Sequence, residues 1–188
     1  MAKSLRHLTK IRLTPSQSAK VVERFRRMDD RTCAIVMGAM LDHSLERLLL
    51  LHMKPLSNDQ RDHLFFGFGP LGSFSAKIRI ATAFGIIGEK TASDLEALNN
   101  IRNVFGHAAQ GVTFRNKAIR DRLGHMHVEA VVSMFFRAFK NRSNRTLGSA
   151  RGRYFLSAWA YVKAMDEVKK KPGPARLQLA VPALDAVM

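Results

Sequence analysis

The segment Arg-Asn-Val-Phe-Gly-His, residues 102–107, brings together three residue types that can do chemistry on a phosphodiester. On a helix Asn103 and His107 are four residues apart and share a face, with Arg102 beside them. A guanidinium is a fixed cation that can hold a phosphate through two hydrogen bonds. An imidazole transfers protons near neutral pH, and an amide can orient either group. Together they could cleave RNA without a metal. His107 would move a proton to or from the ribose 2′-OH or the leaving oxygen, and Arg102 would stabilise charge on the phosphate. The same three residues also serve ordinary capping and hydrogen bonding at a helix end, and spacing alone does not choose between the two.

A second group of residues suits polyanions. The stretch 141–153, NRSNRTLGSARGR, carries Arg142, Arg145, Arg151 and Arg153 and no acid. Arginines on a mobile connection containing serine and glycine can contact a phosphate backbone, with affinity that falls steeply as salt rises. Lys3, Arg6, Lys10 and Arg12 near the N-terminus would extend the same patch. The competing reading is an ordinary solvated loop. The whole chain has 31 Lys and Arg against 15 Asp and Glu, a formal net charge of +16, which favours nucleic acid or another acidic surface. The excess is uneven. Residues 1–27 carry net +7, residues 28–110 net −1 and residues 111–188 net +10, so the positive field comes from both ends of a near-neutral middle.

Other chemistries find less support. Cys33 is the single cysteine, within the apolar run CAIVMGAML, which excludes an intrachain disulfide, suits a reducing compartment and reads as a small buried residue. His125 and His127 are two apart and would point to different sides of a helix, so no metal site is expected, and no cofactor is implied. Asp42 and Glu46, four apart, would pair with Lys77 or Arg79 across a bundle. Gly69, Pro70, Leu71 and Gly72 read as a structural turn. The proline presets it, the glycines permit unusual backbone angles, and Leu71 anchors it in the core. Lys77 is not in the G-K-[ST] context of a phosphate-binding loop.

The elements that must position these residues are helical. Thr14-Pro15 reads as a helix start, running to about residue 28 with Val21, Val22 and Phe25 inward. Asp29 or Asp30 caps a long helix ended by Lys54-Pro55, and a short one spans about 58–66. Ser73 caps a helix that stops near Gly85 or Gly88. Ser93 and Glu96 form a capping-box pattern, which predicts a helix from Asp94 to His107 with Leu95, Leu98, Ile101 and Phe105 on one stripe. Further helices are expected near 117–123, 127–140 and 147–169, the last carrying the bulky run YFLSAWAYV. The expected fold is all-α, a bundle of about six to eight helices. Residues 1–13 form a basic N-terminal arm, 14–170 the helical domain and 171–188 a flexible C-terminal tail with three prolines.

The run GFGPLGSFSAKIRIATAFGIIG, followed by a helix ending in R-x-x-x-x-H, resembles the core of the MtlR (mannitol repressor-like) family. The matching positions are Gly69, Pro70, Leu71, Gly72, Ser75, Lys77, Ile78, Gly85, Ile87, Arg102 and His107, and the likeness covers about residues 30–120. The shorter pattern Arg102, Asn103, His107 resembles the R-x-x-x-x-H motif of HEPN domains, small helical bundles of which many are metal-independent ribonucleases pairing two motifs across a dimer. The first resemblance implies a transcriptional regulator acting on nucleic acid or through a regulatory protein partner. The second implies a ribonuclease with Arg102, Asn103 and His107 as catalytic residues. The second also implies a homodimer. The ends here are more basic than in better-known MtlR-like chains, which favours direct contact with DNA or RNA. The N-terminus lacks a continuous apolar run and no stretch of about 20 apolar residues occurs, so neither a secretory signal nor a membrane span is expected, and the expected location is cytoplasmic.

Overall fold

Helix α1 (Asp30–Leu51) is the axis on which three of the other helices, Phe74–Ala83, Glu89–His107 and Ala150–Glu167, pack. Asp29 caps it by accepting from the Thr32 backbone N–H at 2.9 Å and the Thr32 hydroxyl at 2.5 Å. It stops where the His52 N–H turns back to Leu49 O, two residues before Lys54-Pro55. Cys33, Ala34, Met37, Leu41, Leu45, Leu48 and Leu49 are all buried along it, more than one stripe can carry, so it takes neighbours on several sides. Burial pushes the Cys33 thiol up to about 12, which leaves it an unreactive core group.

The computed structural model describes residues 24, 25, 27–108, 111–128 and 149–168. Five further helices follow among them: α2 (Asn58–Phe65), α3 (Phe74–Ala83), α4 (Glu89–His107), α5 (Lys117–Gly124) and α6 (Ala150–Glu167). No strand occurs among the described residues, and the architecture is the all-α bundle expected. No described helix is long and apolar enough to cross a membrane. The expected N-terminal arm, the C-terminal tail and nearly all of the 127–140 helix lie outside the described residues. So does most of the first helix, although Phe25 is buried as predicted.

Local sequence explains most boundaries. Ser57 and Gln60 close a capping box at the start of α2. Ser73 Oγ accepts from the Ala76 N–H at 3.1 Å and starts α3 as its sequence predicts. Gly85 ends α3 with φ +63: its N–H reaches Thr82 O and the Ile86 N–H reaches Ala81 O, the paired bonds of a Schellman stop.

The expected start of α4 is wrong. The helix begins at Glu89 with Gly88 as its cap, so Ser93 sits inside it and caps nothing. The residues EKTAS ahead of Asp94 are compatible with helix, and Asp94 is needed elsewhere. Asp94 is 1 % exposed and accepts from the His127 and Val128 backbone N–H groups (2.9 and 2.8 Å) and from the Tyr161 hydroxyl (2.7 Å), with His127 Nδ1 at 3.0 Å. One buried carboxylate thus ties α4 to α6 and to the turn after α5.

The core runs through the aromatics of α6. Phe155 stacks on Phe25 at 4.1 Å, and Tyr154 meets Phe114, which in turn meets Phe105 of α4. The buried Tyr154 hydroxyl donates to Ala34 O at 3.0 Å, and burial holds its proton on well above the ordinary tyrosine range. Lys77 of α3, 2 % exposed, extends its ammonium to Asp42 (2.6 Å) and Glu46 (3.4 Å) on α1, and Arg61 of α2 takes the other oxygen of Glu46. Of the two cations expected to meet Asp42 and Glu46, Lys77 does so, while Arg79 points outward.

Candidate functional site

The helices α1 and α4 cross closely because α1 has no side chain where α4 needs room. A Cβ on Gly38 would sit 2.5 Å from Arg102 Cγ and 3.1 Å from Arg102 Cβ. Glycine inside a helix costs about 1 kcal/mol relative to alanine, so its use at this crossing has a packing reason. The stem of Arg102 lies across that gap. Its Nη1 donates to Asn103 Oδ1 at 3.0 Å, and since guanidinium has no acceptor, this contact fixes which way the Asn103 amide faces.

Arg102 and Asn103 open into a cavity of about 200 Å³. Gly38 and Asp42 of α1, Gly72 to Ser75 at the entrance of α3, and Asn99 of α4 complete its walls. Asn99 is buried and donates through Nδ2 to Ser75 Oγ at 2.8 Å. Asp42 brings the one carboxylate, already neutralised by Lys77. His107 is not part of this lining. It is the last residue of α4 and exposed, beside Gly106, whose carbonyl accepts from Arg31 at 3.2 Å. The structure thus brings Arg102 and Asn103 together in one cavity and leaves His107 outside it, on the open end of the same helix.

The turn Gly69–Gly72 supplies part of the wall, and its glycines are there for a different reason from the one expected. Neither residue has positive φ; that belongs to Gly67. Instead a Cβ on Gly69 would meet Leu64 O at 2.6 Å, and one on Gly72 would meet Gly67 O at 2.5 Å. Close approach of backbone to backbone, not an unusual angle, requires them. Leu71 is buried, and its N–H donates to Leu64 O at 2.8 Å.

Of the expected nucleic-acid contacts, Lys3, Arg6, Lys10, Arg12, Arg142 and Arg145 lie outside the described residues. Arg151 and Arg153 are in the first turn of α6 rather than on a mobile connection, because Ser149 caps that helix by accepting from the Gly152 N–H. Arg151 is turned into the fold. It donates to Met28 O at 2.6 Å, lies 3.7 Å from Asp30 and covers the Phe25 ring. Arg153 is half-buried in the same turn.

A basic surface that the sequence reading missed sits on α5 and the residues flanking it. Ile119 and Leu123 face the core, which turns Arg115, Lys117, Arg120, Arg122 and His125 outward. Lys117 pairs with Asp121 at 2.6 Å, and no described carboxylate pairs with Arg115, Arg120 or Arg122. The signal was present as cations spaced through 115–122, but the acid-free run at 141–153 outweighed it. Among the described residues no group of three His, Cys, Asp or Glu could hold a metal ion.

Residues 60–152 match the family model described as mannitol repressor, MtlR. Over that stretch, just under half of the chain, it is similar to the MtlR family. The matched stretch runs from α2 through α3, α4 and α5 to the first turn of α6, so it contains the Gly69–Gly72 turn, the Arg102 wall and the basic helix together. It begins and ends later than the quoted likeness of residues 30–120, and leaves α1 outside. No curated protein and no solved structure matches the chain.

Proposed function

We propose that this chain is a repressor-like regulator that contacts DNA or RNA through the phosphate backbone. The observation that carries the reading is the outward set Arg120 and Arg122 on α5 with Arg115 in the turn before it, inside the stretch that matches the mannitol repressor family. The basic segments on either side of the near-neutral middle, with Lys3, Arg6, Lys10, Arg12, Arg142 and Arg145, would add charge to the same contact. Such contacts set affinity and register and carry no base sequence directly. A regulatory protein partner, implied by the MtlR resemblance, belongs to this reading; the homodimer implied by the HEPN resemblance is compatible with it, and sedimentation of the full chain measures it.

The test is binding of a short labelled DNA or RNA duplex across a salt series. Wild type should bind at low salt, with log K falling linearly against log salt. Each phosphate contact contributes a slope of about 0.9 on DNA, so replacing Arg115, Arg120 and Arg122 with Gln should flatten it by about 2 to 3. Absence of salt-sensitive binding, or a slope the triple variant leaves unchanged, refutes the reading.

A second reading is a metal-independent ribonuclease of HEPN type using Arg102, Asn103 and His107. What favours it is that Arg102 and His107 are both exposed on the last two turns of α4. What weighs against it is that His107 lies outside the cavity Arg102 and Asn103 share. RNA cleavage by wild type, abolished in Arg102→Ala and His107→Ala, would establish it, and identical behaviour of all three proteins would remove it.

A further inference from the structure

We propose that the cavity between α1, α3 and α4 binds a small free oxyanion, a phosphate or phosphate monoester, with Arg102 as its principal ligand. This goes beyond the nucleic-acid reading and does not depend on it.

The argument rests on how Arg102 is held and what surrounds it. Its stem is laid over Gly38, where any Cβ would displace it, and its head is braced by Asn103 Oδ1. A side chain fixed at both ends loses little freedom on binding, which is what a pre-organised ligand group requires. No described carboxylate pairs with it. The carboxylate that shares the cavity, Asp42, is 2.6 Å from the buried Lys77 ammonium. The cation therefore faces a polar cavity with its charge uncompensated.

The donors left over select the ligand. Asn103 has given its oxygen to Arg102, so its NH₂ remains. Ser73 Oγ accepts from the Ala76 N–H, so its hydroxyl hydrogen remains. Ser75 and the Asn99 NH₂ bond to each other and stiffen the wall between these donors. A guanidinium fork, an amide NH₂ and a hydroxyl together present more hydrogens than a planar carboxylate accepts well, and suit a tetrahedral oxyanion. The volume of about 200 Å³ is below the roughly 300–1,000 Å³ of drug-sized pockets, which limits the ligand to a small molecule.

Phosphate could also arrive as part of a nucleic-acid backbone, so the experiment separates the two sources. The full-length ¹⁵N-labelled protein is titrated with inorganic phosphate at constant ionic strength, and separately with duplex DNA. The side-chain signals of Asn99, Asn103 and Arg102 are followed. Phosphate should shift these signals saturably. Loss of a charged hydrogen-bond partner costs enough to weaken binding about tenfold to hundredfold in Arg102→Ala. Arg102→Lys should bind more weakly than wild type and more tightly than Arg102→Ala. Gly38→Ala, which keeps the guanidinium but pushes its stem off α1, should weaken binding with the fold intact. Asn103→Ala, which removes the brace on Arg102 and one donor of the wall, should also weaken binding and supplies a further variant should Gly38→Ala fail to fold. Shifts that do not saturate, that are equal in Arg102→Ala, that appear only on Arg115, Arg120 and Arg122, or that DNA alone produces would each overturn the proposal.

Discussion

Replacing Asp94 is the sharpest test of how this bundle is held together. Its carboxylate is 99 % buried and takes hydrogen bonds from two backbone N–H groups and the Tyr161 hydroxyl, with the His127 ring nitrogen at 3.0 Å. In Asp94→Ala the His127 N–H, the Val128 N–H and the Tyr161 O–H lose their acceptor. Each unsatisfied buried donor costs about 1–3 kcal/mol, and a water entering the vacated space would recover part. The expected loss is about 3–5 kcal/mol, a large share of the roughly 5–15 kcal/mol available to a domain. Asp94→Asn has nearly the same shape but retains only one acceptor oxygen and turns an NH₂ toward existing donors, so it should cost about 1–3 kcal/mol. The assay is equilibrium urea unfolding, with the midpoint falling and the slope unchanged. A loss below about 1 kcal/mol for Asp94→Ala would refute the assignment of Asp94 as the anchor between α4 and α6.

Two further outcomes are expected. Gly69→Ala should destabilise by about 1–3 kcal/mol because its Cβ meets Leu64 O, whereas Gly106→Ala, whose Cβ meets nothing, should stabilise by about 0.5–1 kcal/mol; thermal unfolding of the pair tests the contrast. Acid should act in two steps, read as the urea midpoint against pH. Burial holds the half-buried His43 below the ordinary 6.5, so the unfolded chain takes up that proton first, and stability complete above about pH 6.5 declines as pH falls toward the folded value. Burial alone would raise Glu46, but the Arg61 hydrogen bond and the Lys77 charge outweigh it and leave it below the ordinary 4.5, so its contribution is present above about pH 4.5 and is lost as pH falls through the folded value. His43→Gln should erase the upper step and leave the lower one.

What was legible in the sequence was local. Ser73 before an apolar run and Gly85 after it mark both ends of α3, because caps and stops are made by residues within one turn of each other. Asp42 and Glu46, one helical turn apart, announce a cation opposite. Only packing could say that Lys77 turns inward while Arg79 faces solvent. The misplaced start of α4 shows the limit. S-x-x-E is a sound cap pattern, but Asp94 answers to His127, Val128 and Tyr161, which are 33, 34 and 67 residues away and leave no local trace. The candidate site has the same character. Arg102 and Asn103 could be picked out by type. That Gly38 clears the path for Arg102, and that the Gly69–Gly72 turn walls the other side, depends on contacts between helices remote in sequence.

The boundaries of the MtlR match and those of the packing unit do not coincide. Within residues 60–152, α3 and α4 present Ile78, Ala81, Leu95, Leu98 and Ile101 as a buried face, yet much of what covers that face is α1, which precedes the match. The Lys77 ammonium finds its carboxylates on α1, and the Tyr154 hydroxyl, just past the match, closes on the Ala34 carbonyl of the same helix. A buried lysine without its carboxylates and an apolar face without its cover are both expensive, so the matched stretch depends on the helix before it. The same dependence reaches the cavity, because the gap that admits Arg102 is cut into α1 at Gly38. The residue types that suggest binding belong to the family stretch, and the geometry that makes them a site comes from its junction with α1.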